Sequence, residues 1–209
     1  MKFYDCKTAP SPRRVRIFIA EKGIAIPTVQ VDLRNGEHLT PAFRMVNPHC
    51  TVPVLELDDG TRLVSTAAIW RYLEETHPEP PLMGVSAKEK ALIADTQWRI
   101  EMEGFVPAAE ALRNSAPGLK DRALTGPVNF PQIPELAERG RKRVQMFLGL
   151  LEFMVGDKPF LCGARYSVAD IDALIAVDFA KWVKLELPQG AGNARRWYES
   201  VSARPSAKV

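Results

Sequence analysis

Cysteine is scarce in this chain: three in 209 residues, Cys6, Cys50 and Cys162, odd in number and unclustered. That excludes a disulfide scaffold and points to reduced thiols, so a cytoplasmic location is expected. No Cys-x-x-Cys pair is available for dithiol redox work, and His49-Cys50 has no second ligand pair at zinc spacing, so no metal is expected. An excess of one charge is lacking too. Lys+Arg 28 against Asp+Glu 25 leaves +3, which argues for neither a nucleic-acid nor an anionic-membrane partner. No apolar run approaches the ~20 residues of a membrane span. The first six residues carry a charge but no apolar run, which predicts no signal peptide. No Gly-rich phosphate loop follows a strand. The basic runs Arg13-Arg14 with Arg16, and residues 139–143, lack interleaved aromatics for base stacking and read as solvated helix faces. What remains is the composition of a globular protein, 46% hydrophobic and 25% charged, long enough to build its own core.

Proline, by contrast, is plentiful, with 17 residues, and its placement divides the chain. His77-Pro78-Glu79-Pro80-Pro81-Leu82-Met83-Gly84 continues neither a helix nor a central strand. It is read as a linker (78–84) between a mixed α/β part (1–77) and an all-helical part (85–209).

In the first part, residues 2–5 form a short strand. Ser11 is placed as an N-cap with Pro12 at the first helical position, Val15, Phe18 and Ile19 recur at helical spacing, and Gly23 ends the helix. Residues 28–32 make a second strand, parallel to the first because a helix connects them. A short helix lies in 34–45. Residues 52–57 and 61–64, joined by Asp59-Gly60, form an antiparallel hairpin with Pro53 at a strand start. A helix over 66–75 turns Ile69, Tyr72 and Leu73 to one side. The order β-α-β-β-β-α is that of a thioredoxin-like domain.

In the second part, Ser86 and Glu89 form a capping box opening a long helix whose buried stripe is expected at Trp98, Met102 and Phe105, with Trp98 and Trp197 in the core. Residues 114–134 break the helical pattern. Helical periodicity returns over 135–154, with Val144, Phe147, Leu148 and Leu151 on one face. Ser167 and Asp170 make a second capping box with Tyr166 and Ile171 as a staple, and a last helix covers about 193–201. As a capping-box acid, Asp170 is expected to matter for folding more than for catalysis.

Four patterns in this order resemble the cytosolic glutathione transferases of bacteria: residues 14–23 of the first helix; Asn47-Pro48 leading to Val52-Pro53-Val54-Leu55; residues 63–69 followed by Tyr72-Leu73; and Phe160-Leu161-Cys162-Gly163 with residues 166–170, Arg196-Trp197-Tyr198 and Ala203-Arg204-Pro205. The resemblance runs nearly end to end. It implies a thioredoxin-like α/β N-terminal domain and an all-α C-terminal domain. It also implies glutathione as co-substrate, a small hydrophobic electrophile as acceptor, a detoxification role and a homodimer.

By the same resemblance, Val52 before a cis-Pro53 clamps the cysteinyl backbone of glutathione; read without it, Pro53 is an ordinary trans proline at a strand start. Ser65 and Thr66 fall where the γ-glutamyl group is held, Ser65 replacing an acidic residue, and both also fit an N-cap role. His38 falls where relatives contact the glycyl carboxylate, and Thr51, also a glutathione-site candidate, stands with a shorter side chain where relatives often carry Lys or Gln. Ala9 stands where many relatives place a catalytic Ser or Cys, which leaves Ser11, Thr8 and Cys6 as candidates to activate the thiol. Arg99, Glu103 and Trp182 are candidates for the electrophile site. Two other readings stay open: a non-catalytic glutathione- or ligand-binding protein of the same fold, and a glutathione-dependent thiol reductase using Cys6.

Overall fold

Strand β1 (Lys2–Asp5) pairs in parallel with β2 (Thr28–Gln30) and antiparallel with β3 (Val54–Glu56), which pairs antiparallel with β4 (Arg62–Leu63), giving the order β2-β1-β3-β4. The parallel pair follows from the intervening helix α1 (Pro10–Glu21). The β3–β4 hairpin turns through Gly60 at φ +85°, a backbone conformation that glycine adopts without a Cβ clash. Helices α2 (Pro41–Val46) and α3 (Thr66–Thr76) complete this part. The computed structural model describes residues 1–209 and divides into two compact units, one of residues 1–80 with 125–129 and 209, the other of 81–124 and 130–208.

Helix α1 ends as the sequence predicts. Gly23 at φ +65° follows the C-cap Lys22, the Ile24 N–H reaches Ile19 O, and the Gly23 N–H reaches Ala20 O, a Schellman closure. Its start differs. The N-cap is Ala9, not Ser11, and Pro10 takes the first helical position. A residue before proline is driven to extended backbone, and Ala9 sits at φ −89°, ψ 137°, so the helix can begin no earlier than Pro10, which then serves as its first residue.

The second unit holds α4 (Ala87–Arg99), a π-helical segment (Ile100–Phe105), α5 (Val106–Arg113), α6 (Pro134–Val155), α7 (Val168–Ala180) and α8 (Gly192–Ser202). The expected buried stripe on the long helix is corrected. Phe105 is buried, but Trp98 is 60% exposed and Met102 39%, while Trp197 is in the core as expected. The face turned inward runs through Ile93, Ile100, Gly104, Ala108 and Ala111. Small residues are needed there because α6 comes close. A Cβ on Gly104 would lie 2.6 Å from the Phe147 ring, and one on Gly140 would lie 2.7 Å from Pro107 O.

The π segment also has a chemical cause in Pro107. The Val106 N–H reaches Glu101 O, five residues back. The next residue, Pro107, has no N–H to offer, and the Met102 carbonyl is taken instead by Arg143 Nη2 of α6 at 2.6 Å. Nor are residues 139–143 merely solvated: Arg139 pairs with Glu110, and Arg141 donates to Val183 O at 2.6 Å.

Glu152 of α6 caps α8. Its carboxylate accepts from the Asn193 N–H, the Asn193 side-chain amide and, at 3.0 Å, the Ala194 N–H. Chiefly through the Ala194 N–H, this holds the carboxyl below its usual 4.5. A carboxyl depressed in the folded state adds stability that is present above its unfolded value and lost as pH falls through the folded one. Thermal melts from about pH 7 to about pH 3 should therefore show Glu152→Gln less stable than the parent at neutral pH, with the gap closing below the usual carboxyl value. A gap that stays constant through acid would contradict the cap.

Candidate functional site

The topology gathers four loops at one end of the sheet. Strands β1 and β2 run to that end, and β3 starts there, since Val54 lies opposite Tyr4 near the finish of β1. Strand β4, antiparallel to β3, returns to it. The loops are residues 6–9 before α1, 31–40 with a 3₁₀ turn at Glu37–Leu39, 47–53 before β3, and 64–65 before α3.

The Val52–Pro53 bond is cis, as the resemblance implies. Pro53 is buried and Val52 partly exposed, and no hydrogen bond within the protein engages the Val52 N–H or C=O. An unengaged N–H and C=O on one residue suit an added extended peptide, which pairs through the same two groups. The loop ahead of it is held by Asn47, which is fully buried. Its side-chain amide donates to Thr51 O at 2.8 Å and Thr51 Oγ1 at 3.0 Å, and its Oδ1 accepts from the His49 N–H at 3.0 Å. The Thr51 hydroxyl thus has an internal partner already. Sequence reading used Asn47 only as a motif letter. Its signal was an Asn before a proline, a residue type that bonds its own backbone in turns.

Ser65 is the N-cap of α3, its Oγ accepting from the Ala68 N–H at 3.2 Å, and Thr66 is buried at the first helical position. His38 lies half-buried in the 3₁₀ turn.

At the start of α1 the first turn has few free donors. Pro10 and Pro12 have no N–H, and the Arg13 N–H is taken by Ala9 O at 3.3 Å, so Ser11 alone has a free N–H. The Ser11 Oγ accepts from Arg14 Nη2 at 3.4 Å, which leaves its own proton to donate outward. Arg14 is buried at 6% exposure and the Arg16 side chain is largely covered, so the solvated-face reading of these two is corrected. Cys6 is buried, its Sγ 3.5 Å from Thr8 Oγ1, while Thr8 is exposed. Ala9 makes no side-chain cap.

The electrophile-site candidates lie in the second unit. Arg99 ion-pairs with Asp95 at 3.4 Å and Glu103 at 3.8 Å along one exposed helix face. Trp182 is about half exposed, edge-on to Phe179, and no hydrogen bond or ring contact joins it to Arg99 or Glu103.

Comparison with known proteins agrees with this geometry. A family model described as glutathione S-transferase, N-terminal domain, matches residues 8–76, and one described as glutathione S-transferase, C-terminal domain, matches residues 125–205. Glutathione S-transferase 2 of Saccharomyces cerevisiae is 35% identical over all of this chain and 88% of its own length. The crystal structure of a glutathione S-transferase domain-containing protein of Marinobacter aquaeolei superposes with a TM-score of 0.90 at 37% identity, covering 99% of both chains. A class Gtt2 glutathione S-transferase of Vibrio parahaemolyticus superposes at 0.83 with 31% identity, covering 99% of this chain and 95% of its own. With both domain models matched in order, and relatives this similar along the whole length, the chain belongs to the glutathione S-transferase family.

Proposed function

We infer that the protein is a glutathione transferase in which the Ser11 hydroxyl and N–H hold the glutathione thiolate while the Val52 backbone clamps the cysteinyl residue. The observation that carries this is the pairing, at one end of one sheet, of an unengaged Val52 N–H and C=O with the single free N–H and outward hydroxyl at the start of α1. The thiolate is the nucleophile. Two donors and the positive end of a twelve-residue helix favour it over the thiol. The bound thiol releases its proton to water, and the sulfur pair forms the new S–C bond while the carbon gives up a pair, either to a departing leaving group or, in an addition, from its π bond to an atom that then takes up a proton. The protein contributes charge stabilisation and orientation rather than a strong base. Thr66 at the start of α3 holds the γ-glutamyl carboxylate, and His38 the glycyl end. Ser65, spent as a cap, contributes little to the α-amino group.

The acceptor is a small hydrophobic electrophile, with Arg99, Glu103 and Trp182 proposed to meet it, and detoxification is the proposed role. A homodimer is supported by the exposed apolar strip Trp98, Met102 and Val106 on one helix. The three free cysteines fit a reducing, cytoplasmic setting.

Ultraviolet absorbance of bound glutathione against pH tests the site. The wild type should show a lowered thiol pKa. Ser11→Ala should lose it and fall roughly ten- to a hundredfold in kcat/KM, while Thr8→Ala and Cys6→Ala keep it. Loss in Thr8→Ala with retention in Ser11→Ala would move the role to Thr8, and no glutathione binding at millimolar concentration would overturn the reading.

A further inference from the structure

The loop that delivers the chain into α1 is gripped by a closed set of three side chains. Arg16 lies five residues past Ser11, and helical side chains lean toward the N-terminus, so its guanidinium reaches back beside residues 6–9. Nη1 donates to Asp5 Oδ1 at 2.5 Å and to Cys6 O at 3.3 Å, and Nη2 donates to Lys7 O at 3.0 Å. Gln30, at the end of β2, completes the ring: its Nε2 donates to Asp5 Oδ2 at 2.7 Å and its Oε1 accepts from the Lys7 N–H at 2.9 Å. Asp5, which joins the two, is 1% exposed. Cys6 O also receives the Ala9 N–H at 2.9 Å, closing the turn that ends at the N-cap. The N–H and C=O of Lys7 and the carbonyl of Cys6 are all engaged, so little freedom remains in the loop.

We propose that Arg16, locked by Asp5 and Gln30, is a positioning residue for the thiol chemistry. It fixes where the loop hands over to α1 and so where the Ser11 N–H and hydroxyl point. The proposal rests on the glutathione transferase reading above. The Arg16 charge is met at close range by Asp5, so its contribution is geometric. A donor a fraction of an ångström out of place stabilises a thiolate less, whereas the Val52 clamp on another loop is untouched. The clamp therefore separates turnover from binding.

Gln30→Ala is the deciding variant. Its side chain is exposed, so the fold tolerates the loss, and no charge is removed: Asp5, Lys7, Arg13, Arg14 and Arg16, the charged groups around the loop, all stay. Arg16→Lys keeps the charge but cannot span Asp5 and two carbonyls in the same plane. In both, the pH titration of bound glutathione should show a raised thiol pKa. Each unit of rise leaves about tenfold less thiolate, and tenfold lower kcat, at neutral pH, with glutathione affinity within about twofold of the parent. Folded variants whose bound thiol titrates as in the wild type would overturn the positioning role of Arg16 alone. A wild type that binds glutathione with an unshifted thiol would overturn the transferase reading and the role of Arg16 with it.

Discussion

Asp170→Ala should cost about 3–5 kcal/mol of stability and lower the melting temperature by roughly 10 °C, while activity per folded molecule stays near that of the parent. The sequence marks Asp170 as a capping-box acid, a feature worth ~1 kcal/mol alone. The structure shows more. The carboxylate is fully buried and accepts from four donors: the Leu161 N–H at 2.9 Å, the Ser167 N–H at 3.0 Å, the Ser167 hydroxyl at 3.1 Å and the Trp197 indole N–H at 2.9 Å. It ties the 158–163 loop, the start of α7 and the middle of α8 to one point. Truncation leaves three or more buried donors without acceptors, and the cost of each adds to the lost cap. Burial pushes the Asp170 carboxyl up, against the four donors. Asparagine does not rescue: its amide turns two donors toward donors, so Asp170→Asn should fall close to Asp170→Ala. Urea unfolding of both variants measures this. A soluble Asp170→Ala protein with normal melting and no activity would place the residue in catalysis instead.

The second large effect belongs to Lys22. Its side chain is wholly buried, and the ammonium meets Glu74 at 2.6 Å, Pro80 O at 2.6 Å and Pro78 O at 3.3 Å, above the Phe18 ring at 5.4 Å. Three donors meet three acceptors. This one side chain binds the end of α1 to α3 and to the proline-rich exit of the first unit. Lys22→Met fills the space but takes the ammonium away from the largely buried Glu74 carboxylate and from two carbonyls, a loss of about 3–5 kcal/mol. Lys22→Arg should also destabilise, because a planar fork does not reproduce three diverging bonds. The double variant Lys22→Met with Glu74→Gln should recover part of the loss, since the charge that Lys22 neutralised is then removed as well. Urea midpoints of the two singles and the double form the cycle that checks it. Additive singles, with no recovery in the double, would mean that the pair is not coupled.

Lys22 also shows where sequence reading stops. Glu21-Lys22-Gly23 looks like an ordinary polar helix end, and locally it is one; nothing near position 22 announces an acid at 74 or carbonyls at 78 and 80. Elements ruled by neighbours read well. The strands follow from alternation, the hairpin from Asp59-Gly60 and the end of α1 from Gly23. Features decided by packing read poorly. Trp98 and Met102 are apolar at helical spacing, yet the small-residue face lies inward because Phe147 and the α6 backbone leave no room for large side chains. The start of α1 was missed by two residues because Ser11 makes a better-looking cap than Ala9, while the constraint from Pro10 overrode side-chain preference. In the site, Val52–Pro53 was legible through the family resemblance. The Arg16 ring was not, because its members come from β1, α1 and β2, and two of its acceptors are backbone carbonyls.

The two prolines at the head of α1 bear on which anions that helix can receive. A phosphate or sulfate presents several oxygens and is held by a cradle of successive backbone N–H groups. Here Pro10 and Pro12 silence alternate positions, and Arg13 is committed to Ala9 O, so the backbone offers a single prong at Ser11, with one hydroxyl beside it. Such a receptor matches an anion whose charge sits on one atom. It discriminates by valence of contact: a lone sulfur is satisfied, whereas a polyoxyanion would leave most of its lone pairs facing prolines and remain better solvated by water.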